Sequence, residues 1–195
     1  MIFRSSRLAS AAMLSLFLSA CATVTPPPVL PATAPDAGPA LSLVNSLSWT
    51  NPLSGKADGA RSSWPMESHD GDHEQFPLAQ LKQCGSDGSC AWGIMRAERG
   101  ISHVRSGPDG VQLDLTLEMH VDRRQEVHQG TFNMAMAIPS DVAALRVDRT
   151  ERRALSLPYG KVEQVELDYG VRFSVCVQRY DAAGKALEVC AIPYI

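Results

Sequence analysis

The stretch VQLDLTLEMHV, residues 111–121, decides the fold class of this chain of 195 residues. Apolar and polar side chains alternate along it without a break, and the apolar set is Val111, Leu113, Leu115, Leu117, Met119 and Val121. Successive side chains of an extended strand point to opposite faces of a sheet, so this alternation predicts a strand with one buried face and one solvated face. A protein built on such strands is mainly β.

The flanking segments extend this pattern into a sheet. Residues 122–130 are polar, and residues 131–138 resume an alternating pattern, so we expect the two alternating segments to pair antiparallel. Shorter strand candidates are RALSL, residues 153–157, and KVEQVEL, residues 161–167. Many short strands separated by turn residues indicate an antiparallel β-sandwich or an open barrel, with helix as a minor component.

The N-terminal residues carry a targeting signal. Two arginines and no acid precede an apolar stretch over residues 8–18, which is the order of a secretory signal peptide and is too short for a spanning helix. The stretch ends in the quartet Leu18-Ser19-Ala20-Cys21. This quartet resembles the lipobox of bacterial lipoproteins. The alternative is an ordinary secreted protein in which the cysteine is incidental.

The resemblance to lipoproteins covers only the first 21 residues. It implies cleavage before Cys21 and attachment of acyl chains such as palmitate to that residue. In the family, a residue such as Ala22 after the cysteine implies sorting to the outer membrane of a Gram-negative cell.

The sequence divides into three parts by composition. Residues 1–20 are the signal peptide, residues 21–41 hold the lipidated cysteine and a proline-rich tether, and residues 42–195 form a single β-rich domain. The tether buries little and favours an extended conformation, so it separates the domain from the membrane. The net charge of −3 becomes more negative once the signal peptide is removed, and the chain has no large basic cluster. Nucleic-acid binding is therefore not expected.

The C-terminal region predicts a hairpin that brings two cysteines together. Residues 182–184, Ala-Ala-Gly, are typical of a three-residue hairpin loop that ends in a left-handed glycine. Such a loop pairs Asp181 with Lys185. The resulting register sets Cys176 opposite Cys190, at a position without hydrogen bonds between the strands, where α-carbons approach to about 4.5 Å. A disulfide tolerates that separation.

The same register argument applies to CGSDGSC, residues 84–90, where a Ser-Asp-Gly loop sets Cys84 opposite Cys90. An even number of cysteines in an exported domain indicates disulfides. The alternative is a zinc site with four thiolates, but the five and thirteen residues between the paired cysteines fit such a site poorly. We therefore expect two local disulfides, Cys84–Cys90 and Cys176–Cys190.

The segment ESHDGDHEQ, residues 67–75, is a candidate metal site. His69 and His73, together with a carboxylate, offer the ligands that zinc or a similar cation uses. Gly71 disfavours the helix that would place both imidazoles on one face, and the spacing does not match a calcium loop. A solvated polar loop is the simpler interpretation.

No motif in the sequence predicts catalysis. No serine lies in a Gly-x-Ser-x-Gly setting, and glycine-rich phosphate loops are absent. Disulfide formation leaves no cysteine of the domain as a free nucleophile. We therefore expect a protein that is not an enzyme and that needs no cofactor.

The stretch RVDRTERR, residues 146–153, concentrates arginines among acids. Such a run is typical of a solvated edge or turn whose charges neutralise one another, but arginine is also favoured at protein interfaces. The candidate partner-binding residues are Arg146, Arg149, Arg152 and Arg153.

These observations predict a protein that is lipid-anchored at the outer membrane, faces the periplasm or the cell surface, and acts by binding another protein. One version is an assembly component of an envelope complex. The other is an inhibitor or immunity lipoprotein that blocks a cell-wall hydrolase or toxin with the rigid loop of residues 84–90. A third hypothesis is a metal-binding protein or metal-dependent enzyme that uses His69 and His73.

Overall fold

A computed structural model describes residues 40–66, 71–129 and 132–192 of the chain. These residues belong to one compact unit, Ala37–Ile195. The predicted signal peptide, the lipidation site Cys21 and the tether up to residue 39 lie outside the described residues. Within the described part of the chain, no helix is long and apolar enough to cross a bilayer.

The described residues form eleven strands and one 3-10 turn, Asp168–Gly170. In chain order the strands are β1 (Ala40–Thr50), β2 (Ala57–Pro65), β3 (Asp72–Gln75), β4 (Ala79–Cys84), β5 (Cys90–Ser106), β6 (Gly110–Asp122), β7 (Arg124–Gln129), β8 (Phe132–Ala137), β9 (Val147–Pro158), β10 (Glu163–Glu166) and β11 (Arg172–Tyr180). A first sheet has the order β10-β11-β1-β2. A second sheet has the order β3-β5-β6-β9, with β4 also paired to β5, and β7 pairs with β8.

The two large sheets pack around one hydrophobic core. Leu47 and Phe173 of the first sheet are buried in the same cluster as Met95 and Leu115 of the second. We call the face of each sheet directed to this core its inner face and the opposite one its outer face. No strand pair joins the two sheets among the described residues, so the fold is an antiparallel β-sandwich, which confirms the predicted class, and not a closed barrel.

The alternating stretch that decides the fold class forms β6, and its six apolar side chains are buried as predicted. Its predicted pairing with residues 131–138 is wrong, because β6 pairs with β5 on one side and with β9 on the other. Residues 124–129, expected as a polar connection, form β7 and pair with β8. β7 and β8 are close together in the chain and pair with each other, whereas β5 and β9, with 17 and 12 residues, extend along nearly all of β6.

Additional segments cover parts of both outer faces. The β7–β8 hairpin packs through Val127 onto Ile94, at one end of the outer face of the second sheet. The C-terminal segment packs Cys190 and Ile192 onto Val44, on the outer face of the first sheet. The remainder of the second sheet's outer face carries mostly polar side chains and is open to solvent.

The disulfide Cys84–Cys90 has the predicted hairpin geometry. The two cysteines are direct partners in the β4–β5 register, and their α-carbons are 4.0 Å apart. The Gly85 amide donates to the Ser89 carbonyl at 2.8 Å, which closes the loop. Gly88 has a φ of 81°, the left-handed conformation expected for the third loop residue.

The predicted disulfide Cys176–Cys190 is also present. The second strand of the predicted hairpin, which would include Cys190, does not form. The predicted turn is confirmed, because the Asp181 amide donates to the Lys185 carbonyl at 2.9 Å. Regular pairing stops near Leu187, since the carbonyl of Val177 accepts from the amide of Gly160 instead. The α-carbons of the two cysteines are therefore 5.8 Å apart, wider than a regular register gives.

Candidate functional site

The open part of the second sheet's outer face holds a groove. Three adjoining concavities of about 340, 460 and 440 Å³ follow β6 and β9 across this face. Neighbouring concavities share the lining residues Asp114, Ala154, Arg105, Gln112 and Ser156. We call this continuous depression the outer groove, and it runs from Arg152 at one end to Pro158 at the other.

Small side chains leave room for the outer groove. Ser102 of β5 and Ala154 and Ser156 of β9 line it at positions where longer side chains would fill the space above the sheet. The β6 residues Gln112, Asp114 and Thr116, whose side chains point to the outer face, also line the groove. The lining therefore combines polar and apolar surface, and its polar side chains suit a charged or hydrogen-bonding ligand.

A β-bulge turns Arg105 into the outer groove. Ser102 is opposite Asp114, but Arg105 is opposite Gln112, so β5 has one residue more than β6 between these pairs. In an uninterrupted strand, alternation would direct the side chain at position 105 to the inner face. The bulge keeps Val104 against the core and places Arg105 on the outer face.

His103 has the strained backbone of this bulge. Its φ of 53° lies in the left-handed region, which side chains other than glycine rarely adopt. Its Nδ1 atom is 2.9 Å from Oδ2 of Asp114, and its side chain is 72% exposed. The contact ties the bulge to β6 and engages one of the carboxylates that line the groove. Backbone strain of this kind clusters at functional sites.

Arg105 and Arg152 differ from the other arginines of the described residues. Neither has a hydrogen bond or an ion pair with any described residue, and both are exposed and line the outer groove. The arginines that do have a bonding or electrostatic partner are Arg61, Arg96, Arg99, Arg123, Arg124, Arg146, Arg149, Arg153, Arg172 and Arg179. A guanidinium without an internal partner is available for bidentate binding of a carboxylate or a phosphate.

Residues 147–153 of the arginine-rich stretch belong to the edge strand β9, in agreement with a solvated edge, and Arg146 directly precedes this strand. The alternation of β9 divides the other three candidate residues. Arg152 points to the outer groove. Arg149 and Arg153 lie on the inner side of the strand, and Arg146 forms an ion pair with Asp122 at 3.4 Å. The structure therefore does not bring the four predicted partner-binding residues together.

The inner arginines of β9 close the side of the sandwich with ion pairs. Arg149 is 3.0 Å from Glu151 and 3.2 Å from Asp168 of the 3-10 turn, and Arg153 is 3.0 Å from Glu151. The hydrogen bonds from Arg149 and then Arg153 lower the pKa of the Glu151 carboxyl. Charged side chains that point inward at an edge strand also oppose pairing with a foreign strand.

The candidate metal segment contains a strand, so the expected polar loop is wrong over residues 72–75, which form β3. His69 lies outside the described residues. His73 points to the outer face, where a Cβ added at Gly100 would lie 3.4 Å from its Nε2 atom. Within the described part of the chain, no three metal-ligating side chains gather into one group.

The carboxylates beside His73 point the other way and bind a buried arginine. The side chain of Arg99 is 0% exposed, and it lies 2.9 Å from Asp72 and 3.0 Å from Glu74. The buried Asn45 of β1 donates to the same Glu74 oxygen at 3.2 Å. This cluster, Asn45, Asp72, Glu74 and Arg99, joins the two sheets across the core, so its polar groups are structural.

The disulfide loop, residues 84–90, lies at the exposed end of the β4–β5 hairpin. Asp87 accepts hydrogen bonds from the hydroxyl of Ser89 at 2.7 Å and from its amide at 3.0 Å. These bonds, the side-chain one first, lower the pKa of Asp87. The disulfide and the aspartate together hold the loop in one shape.

Sequence reasoning did not identify Arg105, His103 or Asp114 as residues of one site. A signal for them exists in ISHVR, residues 101–105. Ile101 and Val104 both pack against the core although an odd number of steps separates them, and a regular strand cannot bury both on one face. That spacing indicates a bulge after Ile101.

Comparison of the chain with protein-family models, with curated proteins and with solved structures found no match.

Proposed function

We propose that this protein is lipid-anchored at the outer membrane, where it binds another protein of the cell envelope without catalysing a reaction. The lipobox and the proline-rich tether support the anchor, because acyl chains on Cys21 would hold the domain near the bilayer. The two disulfides support an oxidising compartment outside the cytoplasm. The open face of the second sheet supplies the binding surface.

The observation that carries the binding role is the pair of unpartnered arginines in the outer groove. The other arginines of the described residues each have an interaction partner, and Arg105 and Arg152 have none among these residues. Arginine is enriched at protein interfaces because its planar group makes several directed hydrogen bonds. The groove around these residues also presents hydrogen-bonding side chains such as Gln112 and Thr116, which suits a surface that binds a ligand.

The anchor is tested at Cys21. Mass spectrometry of the purified protein is expected to show an acylated N-terminal cysteine, and Cys21→Ser is expected to move the protein from the membrane fraction to the soluble fraction. A native protein that keeps its first methionine would contradict the anchor.

The binding role is tested by affinity capture from solubilised membranes. The wild-type chain is expected to recover a partner in stoichiometric amount, and the double variant Arg105→Gln, Arg152→Gln is expected to lose it. Arg172→Gln is the matched control, because this exposed arginine belongs to the first sheet and pairs with Glu166. Equal recovery by all three proteins would refute a role for the groove.

A second candidate function, inhibition of a cell-wall hydrolase or immunity to a toxin, is favoured by the disulfide loop. The loop is exposed and held by the disulfide and by Asp87, and a preorganised loop loses little entropy when it enters an enzyme cleft. In that case, Cys84→Ser with Cys90→Ser would abolish protection of cells from the hydrolase, and Arg105→Gln with Arg152→Gln would leave protection intact. The reverse pattern supports the groove instead.

A further inference from the structure

The outer groove has the charge and the spacing to select its ligand. We infer that it binds an extended acidic segment of the partner protein, with two carboxylates that bind Arg105 and Arg152. The inference deepens the proposed function and depends on it, because it names the chemistry of the partner at the same groove.

The two arginines lie diagonally across three strands. Arg152 of β9 is opposite Thr116 of β6, and Arg105 of β5 is opposite Gln112 of the same strand. Four residues along β6 at about 3.3 Å each, and two strand spacings of about 4.8 Å, put the two α-carbons about 16 Å apart. Arg152 lines one end of the groove and Arg105 lines the junction of the other two concavities, so one ligand can reach both guanidinium groups.

An extended peptide matches this separation. Its residues at positions i and i+4 point to the same side and lie about 13 Å apart, and the reach of two flexible side chains covers the difference from 16 Å. The small residues between the arginines, Ala154 and Ser156 of β9 and Ser102 of β5, leave room for a backbone to lie close to the sheet. The hydrogen-bonding side chain of Gln112 lies along the same path.

The charges of the groove favour carboxylates at its arginines. Asp114 is the acid in the middle of the groove, and its Oδ2 atom is engaged by His103 at 2.9 Å. Asp109 lies at the Pro158 end, beyond the segment between the two arginines. Arg153 is next to Arg152 at this end of the groove, but its side chain lies on the inner side of β9 and pairs with Glu151. Arg105 and Arg152 are therefore the arginines of the groove with no anionic partner among the described residues, and an anionic ligand complements them.

A protein segment fits this groove better than a membrane surface or a glycan. The chain as a whole is acidic, which opposes adsorption to anionic lipids. No phenylalanine, tyrosine or tryptophan lines the three concavities, so the groove lacks the large rings on which sugars usually stack. The distance between the two arginines selects ligands by the spacing of their charges, which an extended peptide fixes through its alternation.

The inference is tested by measuring the affinity of the full chain, solubilised in detergent, for synthetic peptides. The probe is a short peptide of serine, threonine and glycine that carries two glutamates four residues apart. Arg105→Gln and Arg152→Gln are each expected to weaken its binding about tenfold, the usual effect of removing a charge-assisted hydrogen bond. Arg124→Gln, which removes an exposed arginine of the β7–β8 hairpin, is the control and is expected to leave the affinity unchanged. Thermal unfolding shows whether the variants are folded.

Two further probes decide between ligand classes. A peptide with glutamates two residues apart is expected to bind more weakly than the probe, and a carboxylated polysaccharide is expected to compete poorly. Equal binding of both peptides, tighter binding of the polysaccharide, or no effect of either arginine variant would overturn the inference. If these peptides fail while membrane capture still depends on both arginines, the inference is wrong and the proposed function stands.

Discussion

The arginines on the two faces of the second sheet differ in whether they have an ion-pair partner. On the inner face, Arg99 is fully buried and Arg149 lies at the edge, and both are bound by carboxylates. On the outer face, Arg105 and Arg152 line a groove and have no partner among the described residues. An arginine that leaves water must be paired, because an unpaired buried charge is very costly. An arginine that stays in water can remain free for a ligand.

The bulge at His103 connects the two faces. It shifts the alternation of β5 by one residue, so that Val104 joins the core and Arg105 joins the groove. Without it, the chain would place a charge inside and an apolar side chain outside at this end of the strand. The difference between the two faces therefore depends on one strained residue as well as on the hydrophobic pattern.

The largest expected effect comes from removing the buried arginine. Arg99→Met leaves Glu74 and Asp72 without their cation inside the sandwich, and breaking such a pair typically costs about 3 kcal/mol or more. Urea unfolding of the variant and the wild type measures this difference in the free energy of unfolding. Adding Glu74→Gln to the variant is expected to restore part of it. A loss below about 1 kcal/mol would show that solvent, and not Arg99, stabilises the two carboxylates.

An intermediate effect is expected at the bulge. His103→Val and His103→Gly both remove the contact with Asp114, but only glycine adopts the left-handed conformation without strain. We expect the valine variant to be less stable than the glycine variant by about 1 to 2 kcal/mol, because left-handed backbone is costly and β-branching adds to it. Comparing the two by thermal unfolding isolates the backbone term. Equal stability would mean that the bulge moves to another residue.

A smaller, pH-dependent effect is expected at the edge of the inner face. Arg149 and Arg153 lower the pKa of Glu151 in the folded state, so this carboxylate stabilises the fold above its ordinary, unfolded pKa of about 4.5. Its contribution, about 0.5 kcal/mol for such partly exposed pairs, is lost as the pH falls through the lower folded value. The stability difference between the wild type and Glu151→Gln is therefore expected to be constant near neutral pH and to shrink below about pH 4. A difference that grows on acidification would contradict the assigned ion pairs.

The smallest effect on stability is expected at the groove. Arg105→Ala and Arg152→Ala remove exposed side chains without described partners, so each is expected to change the free energy of unfolding by less than about 0.5 kcal/mol. The same variants are expected to weaken partner binding, which separates them from Arg99→Met. If either destabilises the protein by more than about 1 kcal/mol, that arginine has a structural partner and the contrast between the two faces fails.

Local sequence rules predicted part of the fold. The alternation of residues 111–121 identified β6 and its buried face, and the hairpin rules identified both disulfides from the loop glycines. The same rules missed the partners of β6, because alternation states which face is buried and says nothing about which distant strand lies alongside. They also missed where the last hairpin ends, since Gly160 competes for the Val177 carbonyl from outside the hairpin.

Less of the candidate site than of the fold could be predicted from the sequence. The run of residues 146–153 pointed to arginines near an edge, but only alternation along β9 and the positions of Glu151 and Asp168 show which of them are paired. Arg105 is far from Arg152 in the sequence, and only the pairing of β5, β6 and β9 brings the two arginines to the same groove.

By itself, the sequence determined the β-rich class and the two disulfides, because each depends on residues that are close together in the chain. Tertiary structure alone decided the sheet order, the burial of Arg99 and the assembly of the outer groove. Those features depend on contacts between distant segments, and the free energy of such contacts is set by which strands pair and which charges lose water.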